Sequence, residues 1–309
     1  MKILVLGAGA VGCFYGARLA AAGAEVVFVA RGAGLRALRE KGLLVHSGHG
    51  DVRLPAVAAV EKPGEAGRVD WVICAVKAWQ LADAAAELGP ALGPETAVLP
   101  LQNGVEASDQ LAELLGPRHA VYGTTWIAAQ MAEPGVVRHV GVEPRVALGE
   151  RDGRATPRIA ALAEALAQAG VRVEVPDDMP RVLWSKFVFI ASLSGVAALT
   201  RLPVGEWRHV PETRRLLVSA LEEVAAVGRA RGVALAHGIV ESTLEFIDAL
   251  PASAQPSMAR DVIEGRASEL EAQTGAVVRL GSAAGLPTPT HEMIYSLLLP
   301  QELRARTQV

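Results

Sequence analysis

Three glycines near the start of the sequence are spaced so that backbone amides could bind a phosphorylated ligand. The run Gly7–Gly12 directly follows the apolar segment Lys2–Leu6 and precedes a helical pattern. In this context the first glycine permits a tight turn, the second lets the backbone approach a pyrophosphate, and the third allows close packing of helix on strand. The motif predicts a dinucleotide-binding turn, the alternative being a glycine-rich turn in an unrelated α/β fold. The predicted cofactor-binding residues of this turn are Gly7, Ala8, Gly9, Ala10, Val11 and Gly12.

The residue after the second apolar segment indicates which dinucleotide would bind. Folds that bind NAD place an acid at this point, where it accepts hydrogen bonds from ribose hydroxyls. This chain has Arg31 instead. A guanidinium binds a 2′-phosphate through charge-assisted hydrogen bonds, whereas a carboxylate repels it. We therefore predict that Arg31 selects NADPH, with Arg36 as a second contact; the alternative is a solvated loop arginine.

Two further polar residues follow strand patterns. Lys77 comes directly after the segment Trp71–Val76, and Asn103 comes shortly after Ala97–Leu101. Ligands of open parallel sheets collect outside the carboxyl ends of the strands, so Lys77 is predicted to contact the cofactor and Asn103 to hydrogen-bond cofactor or substrate. The alternatives are a solvated lysine and an ordinary Asn-Gly turn.

The elements that must position these residues alternate between strand and helix in the first half of the chain. Fully apolar strands in such an alternation predict a Rossmann-type, doubly wound parallel sheet with helices on both faces. Strand patterns occupy Lys2–Leu6, Glu25–Ala30, Trp71–Val76 and Ala97–Leu101, and helical patterns occupy Val11–Ala22, Leu35–Lys41, Leu81–Leu88 and Asp109–Leu114. Three later runs are predicted to add strands to the same sheet: Ala120–Tyr122, Val136–His139 and Arg145–Leu148.

A domain boundary is predicted where Pro176 and Pro180 bracket two acids, because strand patterns stop beyond this point. Residues 1–178 are predicted to form the NADPH-binding domain, and residues 179–309 a helical domain for substrate binding and dimerisation. The helical patterns are Val182–Leu199, Thr213–Arg231, Gly238–Leu250, Met258–Ala284 and Glu292–Leu298. Their extensive apolar faces predict a homodimer formed through these helices.

Composition excludes several classes of protein. The 309 residues carry a formal net charge of -3 and 4% aromatic residues, which does not favour a nucleic-acid partner. The cysteines, Cys13 and Cys74, are too few for a disulfide framework and fit a reducing compartment. Both are predicted to pack in the core, although Cys13 lies at a helix start, where a thiol pKa can fall. No metal site is predicted, since His46 and His49 have no supporting acid cluster.

Two apolar stretches raise the question of a membrane. The amino-terminal stretch superficially resembles a secretory signal, but glycines and Arg18 interrupt it. The stretch Phe187–Thr200 is too short to span a bilayer and is predicted to be a buried helix. A soluble, cytoplasmic protein without a membrane partner is expected.

The order of these motifs resembles the ketopantoate reductase family, whose members reduce 2-dehydropantoate to pantoate with NADPH in pantothenate and coenzyme A synthesis. The resemblance covers nearly the whole chain and implies a Rossmann-type domain followed by an all-α domain like that of 6-phosphogluconate dehydrogenase. The matching stretches are Gly7–Gly12, Arg31, Val76–Gln80, Gln102–Gly104, Gly123–Thr125, Trp184–Lys186, Ser257, Met258, Asp261, Glu269 and Leu270.

The resemblance also implies roles for individual residues. Lys186 matches the proton donor of the family, while Asn103 and Ser257 match positions that contact substrate. An ammonium beside the ketone stabilises the developing negative charge and then donates its proton. The positions near the cofactor are matched by Lys77, Asn103, Ala129 and Glu269.

Three positions depart from the family pattern. Asparagines of the family are replaced by Ile190 and Ser194, which are expected to line the substrate pocket, and by Val204. Because Ile190 cannot pair with a substrate hydroxyl, burying that hydroxyl would cost about 1–3 kcal/mol. The sequence therefore leaves two alternatives to ketopantoate reduction. One is reduction of a more apolar 2-keto acid or related ketone, and the other is a non-catalytic NADPH-binding regulatory module.

Overall fold

The computed structural model describes residues 1–307 and separates the chain into two compact units. The first unit contains Met1–Gln102 and Glu106–Met179. The second unit combines the short segment Asn103–Val105 with the chain from Pro180 onward.

All strands among the described residues belong to the first unit. They are β1 (Lys2–Leu6), β2 (Glu25–Val29), β3 (Leu43–Ser47), β4 (Val52–Leu54), β5 (Ala58–Val60), β6 (Val69–Cys74), β7 (Leu92–Pro100), β8 (Tyr122–Trp126), β9 (Ala129–Glu133), β10 (Val136–His139), β11 (Arg145–Gly149) and β12 (Arg172–Glu174). The helices of this unit are α1 (Ala10–Ala21), α2 (Gly32–Lys41), α3 (Leu81–Ala86), α4 (Ala107–Leu115) and α5 (Pro157–Gln168).

The central sheet is parallel throughout, with the strand order β5-β2-β1-β6-β7. Alternate residues of β1 pack into different cores, because successive side chains of a strand point to opposite faces. Ile3 packs with Phe14 of α1 on one face, and Leu4 packs with Leu81 of α3 on the other. The predicted doubly wound sheet, covered on both faces, is thus confirmed.

Strands β10 and β11 belong to two separate sheets, so the prediction that their sequence runs extend the first sheet was wrong. The third run, Ala120–Tyr122, does reach β7, because the Val121 amide donates to the Val98 carbonyl at 3.3 Å. One sheet has the order β4-β3-β10-β9, and the other has the order β12-β11-β8. Strand β10 pairs in parallel with β3, for instance Val136 with Leu44. Its partner was not predicted from sequence, since β3 is a short strand followed by a glycine-rich turn. At Ala120, just before β8, an isolated parallel bridge pairs this segment with Val98 of β7 in the first sheet.

The second unit is helical. Its elements are α6 (Met179–Thr200), α7 (Val204–Trp207), α8 (Pro211–Ala230), α9 (Ile239–Asp248), α10 (Ser257–Ile263), a π-helical segment (Glu271–Gly275), α11 (Ala276–Ala283) and α12 (Pro289–Arg306). One core gathers the apolar side chains of these helices, including Phe187, Leu221 and Ile294. By length and composition alone α6 could cross a membrane, but 67% of its most apolar window is buried inside the protein. It therefore packs as a core helix does.

The predicted single helix Met258–Ala284 is broken in the structure. Helix α10 ends at Ile263, and Gly265 then adopts a positive φ of 70° that ends the regular helix. Ser268 is held by Glu302 of α12, whose carboxylate accepts hydrogen bonds from the Ser268 amide and hydroxyl. The helical chain resumes only as the π-helical segment. This break matters because Glu269 lies in the non-helical stretch.

Candidate functional site

The glycine turn of the first unit has the geometry that a pyrophosphate requires. Gly7 has a positive φ of 100°, and a β-carbon on Gly12 would lie 2.1 Å from the Gly7 carbonyl oxygen. Close packing of α1 on β1 therefore requires glycine at both positions. Gly9 differs, because apart from its chain neighbours no atom of residues 1–307 lies within 4 Å of the place its β-carbon would take. The backbone at Gly9 borders open space, as a bound phosphate needs.

The amino end of α1 adds favourable electrostatics. No side chain caps the helix at Gly9, and its first turn contains no acidic residue. The amide groups and the positive end of the helix dipole thus favour an anion at this end. Together with the space beside Gly9, these features fit the pyrophosphate of a nicotinamide dinucleotide.

Arg31 lies at the carboxyl end of β2, where it precedes α2 without capping it by a side-chain hydrogen bond. Its guanidinium pairs with Glu87, the residue that follows α3, with 2.8 Å between Nη2 and Oε1. Arg36 is exposed on α2. Glu87 is 56 positions from Arg31 and was not predicted from the sequence, because an acid after a short helix gives no local signal.

Lys77 and Ala129 also belong to the first unit. Lys77 precedes a short 3-10 turn, and its backbone amide donates to the Gln80 side chain at 3.3 Å. Its ammonium lies 5.7 Å from the centre of the Trp79 ring, within cation–π range. Ala129 begins β9 and pairs with His139 of β10.

A buried side-chain network joins three of the predicted site residues in the second unit. The Lys186 ammonium donates to Oδ1 of Asn103 at 2.9 Å, and Nδ2 of Asn103 donates to Oε2 of Glu269 at 3.1 Å. Only 9% of Lys186 and 6% of Glu269 is exposed. The amide thus presents its oxygen to the cation and its nitrogen to the anion, so each charged group holds the amide in one orientation. We call this arrangement the Lys–Asn–Glu cluster.

Local backbone features bring the cluster together. Asn103 lies on the turn after β7, and the next residue, Gly104, has a positive φ of 111°. A β-carbon on Gly104 would lie 2.9 Å from the carbonyl oxygen of Ala272. The turn therefore approaches the π-helical segment more closely than another residue would allow. Glu269 lies two residues before that segment, and π-helical segments occur frequently at functional sites.

The other predicted substrate positions differ in exposure. Ile190 is half-buried one turn beyond Lys186, whereas Ser194 and Val204 are fully buried. The Ser194 hydroxyl has no hydrogen-bond partner among the described residues. Ser257 is the half-buried first residue of α10, and its side chain does not cap that helix.

An aromatic pair was missed by the sequence analysis. Phe189, three residues beyond Lys186, packs edge-to-face against Phe246 of α9 with 5.0 Å between ring centres. Phe246 is 47% exposed, although large apolar side chains are usually buried. The spacing of Phe189 from Lys186 could have indicated its position beside the lysine, since residues three and four apart share a helix face.

The cysteine thiols are both free and buried. Burial raises the pKa of Cys13 to about 12 and that of Cys74 to about 11. The Cys13 thiol also donates to the carbonyl of Ala8 at 3.3 Å. The suggestion that the helix start lowers the pKa of Cys13 was therefore wrong, because desolvation dominates at this position.

Histidines and acids do not gather into a metal centre within residues 1–307, where no group of three or more potential ligands occurs. His46 contacts one acid, with 3.0 Å between its Nδ1 and Oδ2 of Asp51.

Comparison with known sequences covers both units. Residues 3–153 match the family described as ketopantoate reductase PanE/ApbA, and residues 178–302 match the C-terminal region of the same family. The 2-dehydropantoate 2-reductase of Mesorhizobium japonicum is 31% identical over 319 residues, covering 96% of this chain and 97% of that protein.

Solved structures of the same family are also similar to this chain. The PanE/ApbA family ketopantoate reductase of Ralstonia eutropha has a TM-score of 0.91 at 33% identity, covering 99% of this chain and 100% of that chain. The 2-dehydropantoate 2-reductase of Geobacter metallireducens has a TM-score of 0.91 at 35% identity, covering 97% of this chain and 99% of that chain. A D-mandelate dehydrogenase bound to NADH and anilino(oxo)acetate shares the fold, with a TM-score of 0.89 at 23% identity.

Proposed function

This chain belongs to the ketopantoate reductase family, and from that premise we propose that it reduces 2-dehydropantoate to pantoate with NADPH. Family membership makes the protein an oxidoreductase acting on CH–OH groups with a nicotinamide cofactor and a keto-acid substrate. The choice of ketopantoate and of the phosphorylated cofactor is our proposal.

The Lys–Asn–Glu cluster is the observation that carries the proposal. A bound nicotinamide supplies a hydride to the ketone carbon, and negative charge then develops on the ketone oxygen. The Lys186 ammonium stabilises that charge and transfers its proton to the oxygen. Asn103 holds the ammonium through its oxygen atom and is itself oriented by Glu269. Lys186 is the catalytic acid in this proposal, and Asn103 and Glu269 position it.

The cofactor assignment rests on the glycine turn and on Arg31. The space beside Gly9 and the uncapped end of α1 accommodate a pyrophosphate. A guanidinium at the end of β2 suits a 2′-phosphate. Under the proposal Arg36, Lys77 and Ala129 lie near the same cofactor.

The test is steady-state NADPH oxidation with ketopantoate against a panel of 2-keto acids of different polarity. Ketopantoate should have the highest kcat/KM in the panel. No turnover of ketopantoate, together with turnover of another 2-keto acid, would contradict the substrate assignment while leaving the reaction class intact.

A more apolar 2-keto acid is the second candidate substrate. Ile190 stands half-buried one turn beyond Lys186, and Phe189 and Phe246 add an accessible aromatic surface to the same unit. An apolar wall favours a branched or aromatic substituent over one that ends in a hydroxyl. Phe246→Ala should then lower kcat/KM for phenyl- or branched-chain keto acids about tenfold, in line with the loss of an apolar contact. An equal loss for every substrate would contradict a specificity role.

We also infer a cytoplasmic homodimer that forms through the C-terminal helices. Helix α12 exposes the apolar side chains of Met293, Leu297 and Leu303. Two buried free thiols suit a reducing compartment. Light scattering after size-exclusion chromatography tests the dimer, which Leu297→Glu should dissociate. A monomer at micromolar concentration would contradict it.

A further inference from the structure

The ion pair between Arg31 and Glu87 joins two different elements at the carboxyl end of β2. Arg31 belongs to the loop between β2 and α2, whereas Glu87 follows α3, and 2.8 Å separates Nη2 from Oε1. Both side chains are well exposed, at 68% for Arg31 and 41% for Glu87. Solvent and ligands can therefore reach the pair.

These two side chains suit different dinucleotides. A guanidinium at this position binds the 2′-phosphate of NADPH, whereas a carboxylate accepts hydrogen bonds from the ribose hydroxyls of NADH. Folds that bind NAD carry such an acid at the end of the second strand itself. Here Arg31 follows the strand, and Glu87, the residue after α3, places a carboxylate against its guanidinium.

We propose that Glu87 is a specificity-determining residue, which weakens the preference for NADPH over NADH by competing with the 2′-phosphate for Arg31. This inference rests on the proposed function, because it takes the glycine turn and Arg31 to be the cofactor site. Binding of NADPH requires Arg31 to leave Glu87 and places a phosphate near a carboxylate of like charge. Binding of NADH requires neither, and Glu87 remains available to the ribose.

The expected effect is moderate. Exposed ion pairs contribute little free energy, so releasing Arg31 from Glu87 should tighten NADPH binding about fivefold. The effect should decrease with salt, because the Debye length falls from about 10 Å at 0.1 M salt to about 3 Å at 1 M and screens exposed charges increasingly.

The experiment compares Kd values of NADPH and NADH, measured by isothermal titration calorimetry on the full-length protein and its variants. Glu87→Gln should lower the Kd of NADPH about fivefold and leave that of NADH unchanged or raised. The difference should become smaller in 1 M KCl. Asp83→Asn is the matched control, because it removes an exposed carboxylate from α3 that does not pair with Arg31. It should change the ratio of the two Kd values less than twofold.

Arg31→Ala separates this inference from the proposed function. If Arg31→Ala abolishes the NADPH preference and Glu87→Gln leaves the ratio unchanged, the role of Glu87 is overturned and the cofactor assignment stands. If Arg31→Ala has no effect on the preference, both the role of Arg31 and that of Glu87 are overturned. Thermal unfolding checks that each variant is folded, as expected for substitutions of exposed side chains.

Discussion

The two units differ in how they present their predicted site residues. In the first unit the glycine turn presents backbone atoms to open space, and the predicted cofactor contact Arg31 is exposed. In the second unit the Lys–Asn–Glu cluster consists of side chains, and its two charged members are almost fully buried. Exposed ion pairs are weak, whereas a buried polar group that loses its partner pays a desolvation penalty. Single substitutions should therefore affect the second unit's cluster more strongly than exposed side chains of the first unit.

Lys186→Met gives the largest expected effect, because it removes the proposed proton donor and keeps a side chain of similar length. We expect kcat to fall by about 10²–10⁴-fold, the usual contribution of a positioned acid, while the Kd of NADPH changes little. Steady-state kinetics and calorimetry measure the two quantities. Lys41→Met, at the exposed end of α2, is the control and should leave kcat unchanged. A loss of kcat below tenfold would remove Lys186 from the catalytic role.

Two glycine substitutions test whether backbone atoms of the glycine turn bind NADPH. Gly12→Ala should cost about 1–3 kcal/mol of unfolding free energy or more, because its β-carbon would overlap the Gly7 carbonyl. Gly9→Ala should leave stability nearly unchanged, since the methyl enters open space, but should weaken NADPH binding. Chemical denaturation and calorimetry distinguish these outcomes. Unchanged NADPH affinity in Gly9→Ala would mean that the dinucleotide does not approach this turn.

Asn103→Leu should have an intermediate effect, because it leaves both Lys186 and Glu269 without their amide partner. Losing the hydrogen bond to a buried charged group costs about 1–3 kcal/mol, which corresponds to about a 5- to 150-fold loss. The loss should appear mainly in kcat, and Asn103→Asp should not restore activity, because a carboxylate would face Glu269. Full activity in either variant would show that the cluster does not position Lys186.

The smallest expected effect concerns acid stability of the second unit. Burial would raise the pKa of Glu223, but hydrogen bonds from His291 and Thr290 outweigh it and hold the pKa below its ordinary value. Because the folded pKa is lowered, Glu223 stabilises the fold above the unfolded pKa, and this contribution is lost as pH falls through the folded pKa.

Glu223→Gln keeps one acceptor oxygen, so it should cost about 1 kcal/mol of unfolding free energy at neutral pH and less at acid pH. Urea denaturation at about pH 7 and pH 4 measures the change. Glu212→Gln, in an exposed pair with Arg215, should change neither value. A cost for Glu223→Gln that grows at acid pH would contradict the assignment.

The sequence by itself determined the features that depend on residues close together along the chain. Strand β1 and the turn after it were predicted at the correct positions, because an apolar run followed by spaced glycines is a local signal. The two-sided burial of the central strands followed from their continuous apolar composition. By contrast, periodicity alone did not reveal the break at Gly265, where a positive φ and the bonds between Ser268 and Glu302 interrupt an otherwise helical pattern.

Only the tertiary structure decided which distant side chains meet. Lys186 and Asn103 are 83 positions apart, Asn103 and Glu269 are 166 apart, and Arg31 and Glu87 are 56 apart. Family resemblance indicated roles for Lys186, Asn103 and Glu269, but no pattern in the sequence stated that the amide lies between the two charges. Such contacts depend on how helices and turns pack after the chain has closed large loops. Local sequence therefore determines the helices and strands, and packing determines which of their side chains meet.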